Sequence, residues 1–566
     1  MNGTQWILFV VLVQVIHFLG TWKLYVKAGR KAWEAAIPVY NAIVLMQIIK
    51  RPKWWVILLF IPIINLLMFP VIWVETIRSF GKNTLIDTWL VMLTLGFYIY
   101  YVNYALDVTH VKDRSLHPGT ALGEWVSSIV FAIVAATLVH TYFIQPYVIP
   151  TPSLEKTLLI GDFLFVSKFH YGARTPMTTV AAPMVHDTLP ILHVKSYLNK
   201  PQLPYFRIPG FKNVKKNDIV VFSWPADTVR QFFKREEGVV KPIDKKSNYV
   251  KRCVGTPGDS LQVINGRVHI NGKPLVLSDR AKIQFDYMVY GQNGVSSKVL
   301  QDAGVTDFTR TYIAQTLNQE QHVALQQNGY YVYPNNNQII IVSNSKGIRP
   351  DIIQKNRLAL KEITDRKREV TLTDEMAQKL RTVAGIDSVI QTIDPEGQAG
   401  YNLFPQSANH PWNYDNMGPI YLPEAGKTVA LTLETLPLYK KIIRDYEGNS
   451  ISVSGNQISI NGEVTNSYTF NQDYYWMMGD NRDHSEDSRA WGYVPENHIV
   501  GTPVFIWMSV DNFNDGIKNW KIRWDRVFTT VNGKGEPVSY FKYFLIVLAA
   551  YFGFDYFRKK RNAKKS

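Results

Sequence analysis

Ile149-Pro-Thr-Pro-Ser-Leu-Glu-Lys-Thr-Leu-Leu-Ile-Gly-Asp162 stands between two kinds of sequence. Before it runs Trp125 to Phe143, an apolar stretch of the length that crosses a hydrocarbon core of ~30 Å as a helix. After it come alternating apolar residues at Phe163 and Phe165, and again from Ile219 to Phe222, bounded by Gly, Asp and Asn. The chain passes here from membrane helix to a region of strands, and Ser153 lies close to the membrane face.

Towards the amino terminus three more apolar stretches qualify as spans: Trp6 to Thr21, Trp54 to Val74 and Thr88 to Leu106. A fifth, Phe541 to Phe557, lies near the other end. Lys23, Lys27, Arg30 and Lys31 follow the first span and none precede it, the reverse of a secretory signal peptide, so it is expected to stay as an anchor. Those charges, Lys112 with Arg114, and the run Arg558 to Lys565 all favour the cytoplasm, with mild dissent from Arg78 and Lys82. One topology satisfies them: amino terminus outside, and everything from about Ile144 to Ser539 outside. Ala36 to Ile49 is too short to span and reads as interfacial or re-entrant. Trp54, Trp55, Trp73 and Trp89 read as interface anchors, and the terminal basic cluster as a topology signal with anionic lipid contact.

With 566 residues the chain has room for three or four units of the usual ~100 to 200 residues. Its 46% hydrophobic and 19% charged residues average out a segregated distribution, because the apolar residues concentrate at the two ends. A net charge of +16 would suit nucleic acid, yet the densest basic run follows an apolar stretch and is explained as a positive-inside anchor, so no nucleic-acid partner is expected. Cys253 is the sole cysteine, which excludes an intramolecular disulfide and a four-cysteine zinc site. Asn265-Gly266, Asn271-Gly272 and Asn461-Gly462 lie among alternating Val, Ile and polar residues and predict hairpins. Between about Ala281 and Pro411 the texture turns to Gln, Asn, Lys and Glu, with helix-like runs such as Asp374 to Val383 and few strands, which marks an insertion.

A serine hydroxyl needs a base to attack a carbonyl, and no GxSxG is present. Lysine can serve only if burial lowers its ordinary pKa of ~10.4 towards ~7. Tyr249-Val-Lys-Arg-Cys-Val-Gly-Thr-Pro-Gly-Asp259 offers a strand whose alternation puts Tyr249, Lys251 and Cys253 on one face and Val250, Arg252 and Val254 on the other. Lys251 is thus expected buried and Arg252 not. Arg252, always charged, cannot be the base.

Four ordered stretches resemble the boxes of bacterial type I signal peptidases, the serine-lysine leader peptidases. They are Ser153 to Leu158 with Gly161-Asp162; Asp218 to Phe222; Lys251-Arg252 with Gly255-Thr-Pro-Gly-Asp259; and Gly479-Asp-Asn-Arg-Asp-His-Ser-Glu-Asp-Ser-Arg489 with Trp491-Gly492. The resemblance spans about Trp125 to Asp279 and Asn413 to Val510. It implies that Ser153 attacks the scissile carbonyl to form an acyl-enzyme and that Lys251 accepts its proton. The backbone N–H of Ser153 and the hydroxyl of Thr151 would form the oxyanion hole. It further implies that Ser485 hydrogen-bonds and orients Lys251, while Asp480, Arg482, Asp487 and Arg489 brace the loop with ion pairs, with Arg252 also in support. Family members commonly carry serine at Thr151, methionine at Leu154 and proline at Lys156; no reacting group is lost by these departures. A Ser485-His484-Asp483 triad is set against the asparagine usual at His484.

The implied reaction is removal of N-terminal signal peptides from exported preproteins at the outer face of the cytoplasmic membrane, after small-x-small sequences. Partners are the preproteins, the lipid bilayer and the protein export channel. No metal or organic cofactor is required by a Ser-Lys dyad. Phe163, Ile149 and Val221 are candidates for the walls of the shallow pockets that would admit small side chains only. The expected fold is membrane-anchored and mainly β: α-helical transmembrane segments plus an extracytoplasmic, β-rich, barrel-like catalytic domain with a large mixed insertion. Its parts are a multi-pass membrane domain at 1–123, an anchor at 124–144, the catalytic domain at 145–280 and 410–535, the insertion at 281–409, a C-terminal transmembrane helix at 540–557 and a basic tail at 558–566. The membrane domain at 1–123 resembles one sometimes joined to signal peptidases. Alternatives are a specialised Ser-Lys processing peptidase with a narrow substrate set, an inactive signal-peptide-binding relative, and, disfavoured by the membrane spans, a self-cleaving repressor. Gly426-Lys-Thr428 hints at a phosphate loop, but Tyr421 stands where its first glycine is required.

Overall fold

The computed structural model describes residues 3–116, 120–227, 238–335 and 338–563. The end of the basic tail, at Lys565, lies outside them.

Two helices, α1 (Gly3–Lys27) and α2 (Ala121–Tyr142), are long and apolar enough to cross a membrane. Leu8, Val11 and Leu12 on α1, and Trp125, Ile129 and Phe131 on α2, are exposed, and lipid is the solvent that would accept such surfaces. The other three expected spans differ. Thr88 to Leu106 is a bent pair, Leu85–Leu93 and Tyr98–Tyr104, turned by 118° around Leu95 and Gly96, both at positive φ. It makes a third span only if the pair counts as one. Trp54 to Val74 breaks at Ile63, where φ is +69°, into Trp55–Leu58 and Ile64–Arg78. The C-terminal helix, α3 (Phe541–Ala563), forms, but any 18 consecutive residues of it include at least three charged ones, among Lys542, Asp555 and the basic run from Arg558. Tyr40–Ile48, expected at the interface, is a helix whose Val44 and Met46 pack with Leu24, Tyr25, Ile77 and Val102 in the core of the amino-terminal helices. Glu75 ties this bundle to its loops through Arg51 and Arg114.

Past α2 the chain builds one large antiparallel sheet. Its main strands are β1 (Ile144–Val148), β2 (Asp162–Ser167), β3 (Ile219–Ser223), β4 (Asn248–Gly255), β5 (Tyr474–Met478), β6 (Val494–Pro495) and β7 (Ile499–Asp511). They lie in the order β1-β2-β7-β3-β4-β5-β6, with Lys521–Ile522 and Thr529–Thr530 added along β7. The 13-residue β7 pairs with β3 through Ile499 to Gly501 and with β2 through Thr502 to Ser509, and register shifts along it supply the bend that curls the sheet. Alternation in β3 splits two cores. Ile219 and Val221 face Ile149, Leu154, Leu158 and Leu164, whereas Val220 and Phe222 face Tyr171, Cys253, Met477 and Trp491.

A second sheet, of Met417–Tyr421, Ser260–Ile264, Arg267–Ile270 and Lys273–Pro274, covers Trp476 together with Leu422, Leu436 and Tyr493. All three Asn-Gly hairpins form, with positive φ at both turn residues, as a two-residue turn of matching twist requires.

The insertion differs from the expectation of few strands. It carries a three-stranded sheet, Lys367–Thr373, Gln284–Tyr290 and Ser388–Gln391, and a four-stranded sheet built on Arg310–Ala314 and Gln338–Ser343. Its polar texture misled because the polar residues dominate the connecting segments and some strand positions, such as Lys367 and Glu369, while Ile339 to Val342 is an unbroken apolar run. Phe404, within the stretch 281–409 expected to be the insertion, packs edge-on against Trp476 and Tyr493, and its N–H donates to the Arg489 carbonyl.

Trp476 is fully buried in the core beneath the second sheet. Trp476→Ala is expected to cost about 3–5 kcal/mol, read as a lower urea midpoint for the full-length protein in detergent; an unchanged midpoint would show that this core is not what holds the two sheets together.

Candidate active site

Ser153 sits in a single 3-10 turn, Pro152–Leu154, on the loop between β1 and β2. The turn is pinned from below by Leu154 and Leu158, which are buried against Ile149 and Val221. It is pinned from the side by Asn481, whose backbone N–H donates to the Ser153 carbonyl (3.1 Å) and whose Nδ2 donates to the Pro152 carbonyl (3.2 Å). Thr151 flanks the turn in extended conformation.

Lys251 reaches this turn from β4, where it pairs with Val220 of β3. Its Nζ lies 2.5 Å from Ser153 Oγ. The residue is 3% exposed, and its ammonium would have to sit where almost no water can solvate it. Burial is the largest influence and lowers its pKa from 10.5 to about 8, against the opposing pull of Asp487 and Glu486. At neutral pH a pKa of about 8 leaves roughly a tenth of the amine unprotonated, several hundred times more than an ordinary lysine has. Tyr249, two residues earlier on the strand, sets its ring 5.4 Å from the same Nζ.

The expected contrast between Lys251 and Arg252 does not hold, since Arg252 is only 2% exposed. Both faces of β4 are covered: Cys253 belongs to one core and Val254 to the other. A guanidinium in that position needs a counter-charge, and Asp480 supplies it as a two-pronged pair, Nε to Oδ1 at 2.7 Å and Nη2 to Oδ2 at 2.5 Å. Thr157 Oγ1 donates to the same carboxylate (2.6 Å), so the pair also ties down the loop that carries Ser153.

Past Met478, which pairs with Arg252, the chain leaves β5 level with Lys251. Gly479 comes so close to the serine turn that a Cβ on it would stand 2.5 Å from the Ser153 carbonyl oxygen and 2.2 Å from Ser485 Oγ. Asp487 holds the returning arm, accepting from the Gly479 N–H (3.0 Å) and pairing with Arg489 through both oxygens. Arg482 departs from the expected ion pairing. Its Nε donates to the Gly479 carbonyl and it accepts from Arg489 at its own carbonyl, because the carboxylates of Asp480 and Asp487 are already taken by Arg252 and Arg489. Ser485 also departs. It is buried beside the site, but its Oγ makes no hydrogen bond among the described residues; it packs on Gly479 and leaves Lys251 to Ser153 alone.

The Ser485-His484-Asp483 alternative is not assembled. His484 turns to Asp286 and Thr371 of the insertion, at 3.2 Å from each, and Asp286 raises its pKa to about 9. Asp483 accepts from the Asp286 backbone N–H (2.7 Å). Of the candidate pocket residues, Ile149 and Val221 lie beneath the serine turn. Phe163 points to the opposite face of β2, among Trp507, Phe513 and Trp520.

Sequence reasoning gave no part to Asn481, Thr157 or Gln284. Gln284, the first residue of the insertion's sheet, takes a bond from Arg482 N–H at its carbonyl, donates its own N–H to the Asp480 carbonyl (2.8 Å), and sends Nε2 to the Glu155 carbonyl. Its one signal in the sequence is a position at the edge of the texture change. Among the described residues no three His, Cys, Asp or Glu side chains converge as metal ligands do.

A family model described as signal peptidase, peptidase S26, matches residues 122–339 and 430–508, more than half of the chain. The match runs into the insertion as far as 339, so the unmatched segment is 340–429. Residues 33–113 match a family of unknown function, DUF5684. Similar proteins include those named Signal peptidase I from Helicobacter pylori strain J99 (24% identical, covering 72% of this chain and 92% of the relative) and from Haemophilus influenzae (22%, covering 74% and 79%). A third, of the same name, is from Buchnera aphidicola (22%, covering 70% and 81%).

Removing one partner of the Arg252–Asp480 pair strands a buried charge, so Asp480→Ala is expected to lower stability by about 3–5 kcal/mol. Thermal unfolding of the full-length protein measures it, and a midpoint within one degree of the parent would refute the bracing role.

Proposed function

This chain belongs to the peptidase S26 signal peptidase family, and on that footing we propose that it removes signal peptides from exported preproteins with Ser153 as nucleophile and Lys251 as general base. The observation that carries the reading is the 2.5 Å approach of a dehydrated amine to a buried hydroxyl. In its neutral form Lys251 takes the Ser153 proton as Oγ attacks the scissile carbonyl. The resulting ammonium gives that proton to the departing amine, and the acyl-enzyme is hydrolysed by a water that the freed amine activates. The N–H of Ser153 and the hydroxyl of Thr151 are assigned to the oxyanion, where one donor is worth about 10²- to 10³-fold in rate.

The membrane helix explains the substrate. A signal peptide leaves its apolar segment in the bilayer with the scissile bond near the outer surface, and α2 hands its chain directly to the strand before Ser153. We assign the catalytic domain to the extracytoplasmic side of the cytoplasmic membrane, beside the export channel that delivers preproteins. Close apolar packing under the serine turn, Ile149 and Val221 included, supports cleavage after small-x-small sequences.

A narrower substrate range is the second reading. Lys156, next but two to Ser153, donates from Nζ to Thr306 Oγ1 of the insertion at 2.6 Å, so the insertion stands at the rim of the site. Cleavage of a panel of unrelated preproteins separates the two readings.

Ser153→Ala and Lys251→Ala are each expected to abolish processing of a radiolabelled preprotein while membrane insertion persists; mature product from either variant would refute the assignment. Because Lys251 acts unprotonated, kcat/KM should rise about tenfold per pH step below about 8 and level above it. A profile that is flat from pH 6 to 9 would exclude Lys251 as the base.

A further inference from the structure

A cleft of about 190 Å³ opens where the outer end of α2 meets the β-domain, away from Ser153. Thr137 and His140 of α2 line one side, and Lys168, Arg174, His186 and Lys245 the other. Asp244 is the lone carboxylate among the lining side chains, and both its oxygens are taken by Thr178, through N–H (2.9 Å) and Oγ1 (2.8 Å). Arg174 donates to neutral acceptors only, the Asn497 carbonyl (2.9 Å) and Ser223 Oγ (3.1 Å). Lys245 donates to the Val185 carbonyl. Among the described residues no carboxylate stands within ion-pairing distance of Lys168, Arg174 or Lys245.

Buried cations need compensation: Arg252 has Asp480, Arg489 has Asp487 and Lys241 has Asp227, while Arg482 is held by a backbone carbonyl within a loop that carries carboxylates. The cleft gathers three cations, Lys168, Arg174 and Lys245, around Asp244, which acts on Arg174 and Lys245 through space without a direct ion pair, so positive charge is in excess there. The strain is visible in Lys168, whose pKa falls to about 7 through burial and the nearby Arg174. Thr137 Oγ1, also lining the cleft, is buried without a hydrogen-bond partner, a hydroxyl donor left over on the membrane side. The space is several times the ~30 Å³ that a water takes up.

We propose that this cleft binds the phosphate of a glycerophospholipid, held by Lys168, Arg174 and Lys245 with Thr137 as a further donor. A lipid is the source that the position favours. The cleft sits at the end of a helix apolar enough to span, and Ile63 of the amino-terminal helices also lines it, so acyl chains of a seated headgroup would run down the α2 surface. The group would complete the contact between the amino-terminal helices and the β-domain with negative charge to match the cations that Asp244 leaves in excess.

The full-length protein, purified in detergent and stripped of lipid, is titrated with dioleoyl phosphatidylglycerol, with dioleoylglycerol, which lacks the phosphate, and with inorganic phosphate, and bound adducts are counted by native mass spectrometry. One retained phosphatidylglycerol is expected, with no retained dioleoylglycerol. Lys168→Met and Lys245→Met should each weaken retention at least tenfold, and Lys168→Arg should preserve it. Hydrolysis of a soluble peptide by Lys168→Met should match the parent, which shows that the variant is folded. Equal retention of the two lipids, or retention unchanged by both methionine variants, would overturn the proposal. Saturation by inorganic phosphate with no binding of phosphatidylglycerol would overturn the lipid source.

Discussion

An ammonium group loses several kcal/mol of hydration when it enters a dry protein interior, and Lys251 is placed where that loss falls almost wholly on the protonated form. The surrounding architecture follows from keeping that environment dry. β4 must be covered on both faces, which takes two separate apolar cores, one on each side of the curled sheet. A strand in such a position cannot carry a free arginine, so Arg252 brings Asp480 with it, and Asp480 fixes Thr157 on the serine loop. Shielding the amine and positioning the hydroxyl are therefore consequences of one packing arrangement.

The charged loop after β5 also sorts its charges by geometry. Asp480 and Asp487 are each paired with an arginine through two oxygens, and although both still act on Lys251, Arg489 opposes them and burial prevails. Were either carboxylate free to pair with Lys251, the amine would hold its proton more tightly and be a poorer acceptor. Arg482, left without a carboxylate, satisfies backbone carbonyls, which is how a third buried cation stiffens a turn.

Much of this was readable beforehand. Period-two alternation placed β2, β3 and β4, the Asn-Gly pairs placed the hairpins, and the length of the apolar run placed α2. Long-range packing was not readable. Nothing local to Arg252 says that its face of the strand will be covered, since the residues that cover it lie more than two hundred positions away. Ser485 was given a partner by analogy, and the structure turns it towards Gly479. The helix breaks at Ile63 and Leu95 stand beside Pro62 and Gly96, breaker residues whose signal was outweighed by the length of the apolar runs around them. The strands of the insertion were masked by the polar segments that connect them, and Gln284 by standing at the boundary between two textures.

The order of strands across the sheet is very different from their order along the chain. β2, which follows the serine loop, has β1 on one side and finds its other neighbour only in β7, and β4 finds one of its two in β5. The hydroxyl and the amine stand early in the chain, yet Asp480 and Asn481, which tie the serine loop to β4, and β7, which joins β2 to β3, come more than two hundred residues later. The site is thus built from contacts of long sequence separation, the kind whose loop-closure entropy must be met before they stabilise anything and which make folding slow.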